Sequence, residues 1–163
     1  LRLLDFAGVE EVDYLFDGAD EVDPDLRMIK GRGGALVRER VVAKAAARCV
    51  YMVAEEKLVT RLGERCSLPV AVQYFGLASI RRHLIDMGYN GVVRRTLGGE
   101  HFLTDQGNLV IDVSLPPGKD PAEVAAQLDS VPGGVDHGLF LSEADEVMVE
   151  TKAGKIERML RSE

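Results

Sequence analysis

The sequence predicts an α/β fold: an open, mostly parallel, Rossmann-like sheet with an inserted ferredoxin-like α+β subdomain. Three observations lead there. Strand, helix and strand follow one another before residue 54, the order of a βαβ unit. From Leu68 the order becomes β-α-β-β-α-β, the split βαβ arrangement. A last strand-forming run, Glu146 to Thr151, is placed to rejoin the first sheet. The 163 residues, 46% apolar and 29% charged, suffice for one or two small domains with a packed core. The boundaries fall near Ser67 and Ser142, so residues 1–67 and 143–163 form the α/β domain and residues 68–142 the insertion.

Val12-Asp13-Tyr14-Leu15-Phe16 is rich in β-formers and is stopped by Asp17-Gly18. A loop through Asp23-Pro24-Asp25 leads to the turn Gly31-Arg32-Gly33-Gly34, then to a helix from about Ala35 to Arg48. Arg40, Lys44 and Arg48, at i,i+4 spacing, form its solvated stripe. Cys49-Val50-Tyr51-Met52-Val53 is a continuous apolar run, expected to be buried on both faces of a parallel sheet. Within the insertion, Leu68 to Tyr74 is a strand and Leu77 to Met87 an amphipathic helix. Val92 to Thr96 is a strand turning at Leu97-Gly98-Gly99, and His101 to Thr104 and Leu109 to Ser114 flank a further turn. Asp120 is an N-cap with Pro121 at the first helical position. That helix ends before Pro132-Gly133-Gly134, and Val135 to Leu141 is the closing strand.

A formal charge of −7, from 27 acidic and 20 basic residues, repels phosphate backbones and argues against nucleic acid as a general partner. An anionic substrate then needs a local basic cluster. No apolar run approaches the ~20 residues of a membrane-spanning helix, and the first residues carry no secretory signal pattern. Cys49 and Cys66 are too far apart for a C-x-x-C motif and are expected to stay reduced in a cytoplasmic setting. His83, His101 and His137 have no i,i+4 partner, so a zinc enzyme is not expected.

Candidate chemistry gathers near the ends of the first strands, where open α/β sheets bind ligands. Asp17-Gly18-Ala19-Asp20-Glu21 is one cluster. Asp17 and Asp20 are spaced to converge on a small polar substrate and exchange protons with its hydroxyls; an acidic turn or a Mg²⁺ or Ca²⁺ site are the other readings. In Lys30-Gly31-Arg32-Gly33-Gly34, glycines allow close backbone approach and the following helix presents free N–H groups. The loop suits an oxyanion or a phosphorylated substrate, although it is neither G-x-G-x-x-G nor a Walker loop.

Glu39 is the most informative single residue. At 100° per residue, Ala35, Leu36, Val42, Ala43 and Ala46 lie within about 60° of it around the helix. A carboxylate in the middle of an apolar stripe is costly unless paired or protonated, and has the raised pKa that suits a general base. Lys57, after the next strand, lies on the same rim. Carboxylate base, acids and cations without a nucleophile–histidine pair or metal cluster suit proton transfer on a hydroxy-carbonyl compound.

These residues resemble the ribose-5-phosphate isomerase family of the A type. The likeness rests on Asp17-Gly18-Ala19-Asp20-Glu21, Lys30-Gly31-x-Gly33-Gly34-Ala35-Leu36-x-Arg38-Glu39, Lys57 and Gly138-Leu139-Phe140. Leu68-Pro69-Val70 and Pro132-Gly133 extend it along nearly the whole chain. It implies interconversion of ribose 5-phosphate and ribulose 5-phosphate through an enediolate, with no metal or organic cofactor, in a cytoplasmic homodimer or higher homo-oligomer. By resemblance, Glu39 carries the proton between C2 and C1, and Asp17 assists ring opening and hydroxyl proton transfer. Lys30 supports charge on oxygen. Gly18, Ala19, Asp20, Gly31, Arg32, Gly33 and Lys57 complete the implied substrate site.

Two departures accompany it. Arg32 stands where family members carry a smaller residue, and the family's upstream strand and glycine–threonine–serine phosphate loop do not precede Leu1. The chain is therefore expected to be an N-terminally truncated piece of its catalytic domain, inactive by itself. The competing reading is a non-catalytic sugar-phosphate sensor, although no helix-turn-helix segment is visible. A Rossmann nucleotide binder lacks its glycine fingerprint.

Overall fold

A computed structural model describes residues 3–161. Its first sheet has the strand order β1-β4-β10-β11, built from β1 (Val12–Asp17), β4 (Ala46–Ala54), β10 (Glu146–Glu150) and β11 (Ile156–Leu160). The first three run parallel, with Asp17 opposite Tyr51 and Met148 opposite Met52. β11 adds antiparallel at the edge. The final strand thus rejoins the first sheet as expected, and the fold class is the mixed, mostly parallel α/β one that the sequence predicts. Arg158 on β11 and Arg48 on β4 both bond Glu146 between them, holding its carboxyl down at about 2.

Helix α1 (Leu36–Ala45) crosses over between β1 and β4. It stops earlier than expected: Ala46 is already extended, at φ −86° and ψ 134°, and begins β4. The parallel ladder pairs Val12 with Ala46, and those ladder bonds override the helix preference of an alanine run. Arg48 therefore sits on a strand and not on the helix. Ala43 packs with Cys49, Tyr51, Val53, Val147, Val149 and Phe140 in one core. The opposite face of the sheet is open among the described residues: Tyr14 and Phe16 stack 5.9 Å apart and Met52 is half-exposed. β4 is thus buried along Cys49, Tyr51 and Val53 on one face, while the other face carries a buried Val50 beside the half-exposed Met52.

The second sheet has the order β6-β7-β5-β8 and is wholly antiparallel. Its strands are β5 (Leu68–Val72), β6 (Gly91–Val93), β7 (Leu109–Val113) and β8 (Gly134–His137). Helices α2 (Leu77–Asp86) and α3 (Pro121–Asp129) bury Ile80, Leu84, Val124 and Leu128 against it. Asp120 caps α3 through the Ala122 N–H, with Pro121 at the first position. The arm expected over His101 to Thr104 is reduced to bridges at Arg95–His101 and Leu103–Leu109.

Between the two sheets lies a third, with order β2-β3-β9: β2 (Glu21–Val22), β3 (Met28–Ile29) and β9 (Leu139–Phe140). The strand expected over Val135 to Leu141 is therefore divided. Gly138 marks the division, donating its N–H to Pro69 and accepting that of Lys30 at 2.9 Å. A Cβ there would lie 2.3 Å from the Lys30 carbonyl oxygen, so only glycine permits this crossing.

Candidate active site

The carboxyl end of β1 delivers Asp17, whose Oδ1 accepts the Gly18 N–H at 2.7 Å and so shapes the turn that follows. Asp20 closes that turn: its N–H donates to Ile29 on β3, and its Oδ2 accepts the Arg32 N–H at 3.0 Å. The third sheet thus fixes the acidic turn and the glycine loop against each other. Gly31 and Gly34 take φ of 97° and 85°, with the Gly34 N–H closing onto the Gly31 carbonyl. That left-handed geometry explains the glycines.

Lys30 leaves β3 with its side chain almost fully enclosed, 3% exposed. Its Nζ lies 2.8 Å from Asp17 Oδ2, donates to the Gly18 carbonyl, and stands 3.7 Å from Glu39 Oε2. The Tyr51 and Phe140 rings flank it at 5.2 and 5.6 Å. Glu39, on the first turn of α1, is half-buried, and its Oε2 is a buried atom without a hydrogen-bond partner. Burial pushes its carboxyl above the usual value, the neighbouring Lys30 ammonium pulls it back, and Asp17 and Asp20 push it up again. A half-buried carboxylate held close to a shielded cation is the result.

The acidic turn from Asp17 to Asp20, the loop from Lys30 to Gly33 and Glu39 together line one cavity of about 210 Å³. Arg32 reaches it with an exposed side chain. Lys57 does not line that cavity. It sits in a short turn after β4, beside the Val22–Leu58 bridge. Glu21, although part of the acidic run, turns away into the interior and accepts the N–H groups of Gly63, Arg65 and Cys66. Among the described residues no three His, Cys, Asp or Glu side chains are grouped to hold a metal ion.

Arg40 corrects the expectation of a solvated stripe. Its guanidinium donates to Asp136 at 2.8 and 2.9 Å, to Glu143 at 2.9 Å, and to the carbonyls of His137 and Leu139. It also lies over the Phe140 ring at 4.2 Å. One residue from Glu39, it binds α1 to β8 and β9. Arg40→Met should cost about 3–5 kcal/mol, because it leaves Asp136 and Glu143 largely buried without their main partner. Urea unfolding monitored by circular dichroism measures that loss; a cost below about 1 kcal/mol, the size of a surface pair, would contradict it.

The family model described as ribose 5-phosphate isomerase A (phosphoriboisomerase A) matches residues 1–154. The chain belongs to that family. It is 47% identical over 146 residues to a ribose-5-phosphate isomerase A of Roseiflexus sp. strain RS-1, a match covering 90% of this chain and 63% of that protein. A D-ribose-5-phosphate isomerase solved in complex with phospho-erythronic acid superposes with a TM-score of 0.90 at 33% identity, covering 97% of this chain and 69% of that one. The enzyme of Plasmodium falciparum gives 0.89 at 31% identity, covering 94% and 67%. The chain thus spans somewhat under two thirds of the Roseiflexus isomerase. The ribose-5-phosphate isomerase A motifs quoted from the sequence fall on the acidic turn, the glycine loop, α1, β5 and the crossing at Gly138 into β9, with the Lys57 turn and Pro132-Gly133, just before β8, lying outside these.

Proposed function

We propose that this chain carries the proton-transfer machinery of an aldose–ketose isomerase interconverting D-ribose 5-phosphate and D-ribulose 5-phosphate. The observation that carries the reading is the half-buried, unpartnered Glu39 carboxylate oxygen, 3.7 Å from the enclosed Lys30 ammonium in a cavity lined by Asp17 and Asp20. In the open-chain aldose, Glu39 takes the C2 proton and negative charge moves onto O1, giving an enediolate. Glu39 then returns the proton to C1, while the O2 hydroxyl proton moves to O1 through Asp17. Lys30 offsets the charge on oxygen, and Asp20 holds the sugar hydroxyls with the backbone of the loop through Gly18, Ala19, Gly31 and Gly33. Arg32, which lines the cavity, is assigned to the anionic end of the substrate, and Lys57, outside the cavity lining, is left without a role. The phospho-erythronic acid held by one relative supports this chemistry. A planar carboxylate on a phosphorylated four-carbon chain spreads charge over two oxygens, as an enediolate does.

The unit formed by residues 1–67 and 143–163 is assigned the chemistry and residues 68–142 the supporting subdomain. A cytoplasmic homo-oligomer, dimeric or larger, completes the proposal. It is supported by family membership and by the unpaired Cys49 and Cys66. The reaction as assigned needs no metal or organic cofactor.

Full-length protein incubated with ribose 5-phosphate in deuterium oxide should form ribulose 5-phosphate and place solvent deuterium at its C1, read by proton NMR. EDTA should leave the rate unchanged. Binding of the sugar phosphate without turnover would favour the sensor reading, and loss of activity in EDTA restored by Mg²⁺ would return Asp17 and Asp20 to metal ligation.

A further inference from the structure

The glycine loop is held from its outer side by an arginine of the inserted subdomain. Arg94, just past β6, places its guanidinium against both oxygens of Asp112 on β7, with Nε at 2.8 Å from Oδ2. The same group donates through Nη1 to the carbonyls of Gly31 at 3.1 Å and Arg32 at 2.8 Å. Asp112 thus fixes the plane of the fork, and the fork fixes two consecutive peptides of the loop. The ring of Phe102 supports this grip: it lies 5.5 Å from the guanidinium, and its edge fills the space where a Cβ on Gly34 would fall, 2.5 Å away. The Phe102 N–H in turn donates to the Arg94 carbonyl at 3.0 Å. On the inner side the same loop is tied by the Arg32 N–H to Asp20 and by the Lys30 N–H to Gly138.

We propose that Arg94, oriented by Asp112, is a positioning residue that sets the placement of the Lys30–Gly34 loop against Glu39. It touches no reacting atom. Its effect on turnover rests on the isomerase reading above; its effect on the loop does not. The guanidinium matters for its shape as well as its charge. A lysine at this position keeps the attraction to Asp112 but has no planar fork to span a carboxylate and two carbonyls together. Loosening the loop by an ångström displaces Lys30 and the peptides beside it, a shift of the size that costs about 10²-fold in rate.

The test uses the full-length protein with Arg94→Lys, Arg94→Met and Asp112→Asn, measuring kcat, melting temperature and amide hydrogen exchange over residues 31–35. Arg94→Lys should remain folded at the assay temperature, exchange faster at residues 31–35 than wild type, and lose about 10- to 100-fold in kcat. Asp112→Asn should show the same two effects to a smaller degree. Arg94→Lys with wild-type exchange and wild-type kcat would overturn the proposal. So would a loss of kcat in every variant that follows the melting temperature with loop exchange unchanged, since that marks the ion pair as structural only. If wild-type protein does not isomerise ribose 5-phosphate, the isomerase reading fails while the exchange measurement still decides whether Arg94 holds the loop.

Discussion

Glu39→Gln in the full-length protein is expected to lower kcat by about 10²–10⁴-fold, the range a positioned general base contributes, while leaving the fold intact. The amide is nearly isosteric with the carboxylate but cannot accept the C2 proton. Stability should not suffer, because the wild-type side chain buries an oxygen without a hydrogen-bond partner. Burial of a carboxylate with its pKa raised opposes folding at neutral pH, and a neutral amide removes that opposition. Loss of solvent deuterium incorporation should accompany loss of turnover. In the wild type, the acid limb of kcat/KM should lie above the ordinary carboxylate value of 4.5, because the base must be ionised and its carboxyl is raised. As pH falls through that raised value, activity falls with it. A Glu39→Gln protein with wild-type kcat would remove Glu39 from the mechanism. An acid limb below 4.5 would mean that Lys30 outweighs burial.

The site was legible because its signals are local. Asp17-Gly18 ends a β-rich run, the glycines of residues 31–34 demand a turn, and Glu39 interrupts an apolar stripe at helical spacing. Each of these is visible within a dozen residues. What escaped detection depends on partners far along the chain. β2, β3 and β9 are two residues each, too short for any periodicity, and exist because Met28 meets Phe140 across more than a hundred residues. Arg40 sits at i,i+4 from Lys44, the usual mark of a solvated face, yet Asp136 and Glu143 arrive from the other end of the chain to enclose it. The end of α1 lies in an alanine run that favours helix until Val12 pairs with Ala46 and turns it into strand. β11 was missed because Ile156-Glu157-Arg158-Met159-Leu160 does not alternate cleanly, as its edge position and largely exposed residues allow. Arg94 gives no sequence signal beyond one more arginine beside Arg95. Lys57 shows the converse: its place after a strand suggested the cavity, but strand-end position fixes a rim and not a distance.

Lys30→Met is the second substitution with a large expected effect, a loss of about 10²–10³-fold in kcat with a smaller change in KM. In the proposed reaction the charge that Lys30 offsets develops on the substrate oxygen as the enediolate forms, so its removal should act mainly on the transition state. Methionine matches the apolar stem and packs between the Tyr51 and Phe140 rings. Asp17, with 29% of its side chain exposed, has access to water in place of the lost ammonium. The protein should therefore fold, which circular dichroism and thermal melting check directly. The pH profile provides an independent reading of the same residue. Lys30 holds the Glu39 carboxyl down against burial and against Asp17 and Asp20; without it the carboxyl rises further. Since the base works only when ionised, the acid limb of the residual activity should move to higher pH than in the wild type. A variant in which only KM rises would make Lys30 a phosphate anchor. An acid limb that stays in place would separate it from Glu39 altogether, despite the 3.7 Å between their charged atoms.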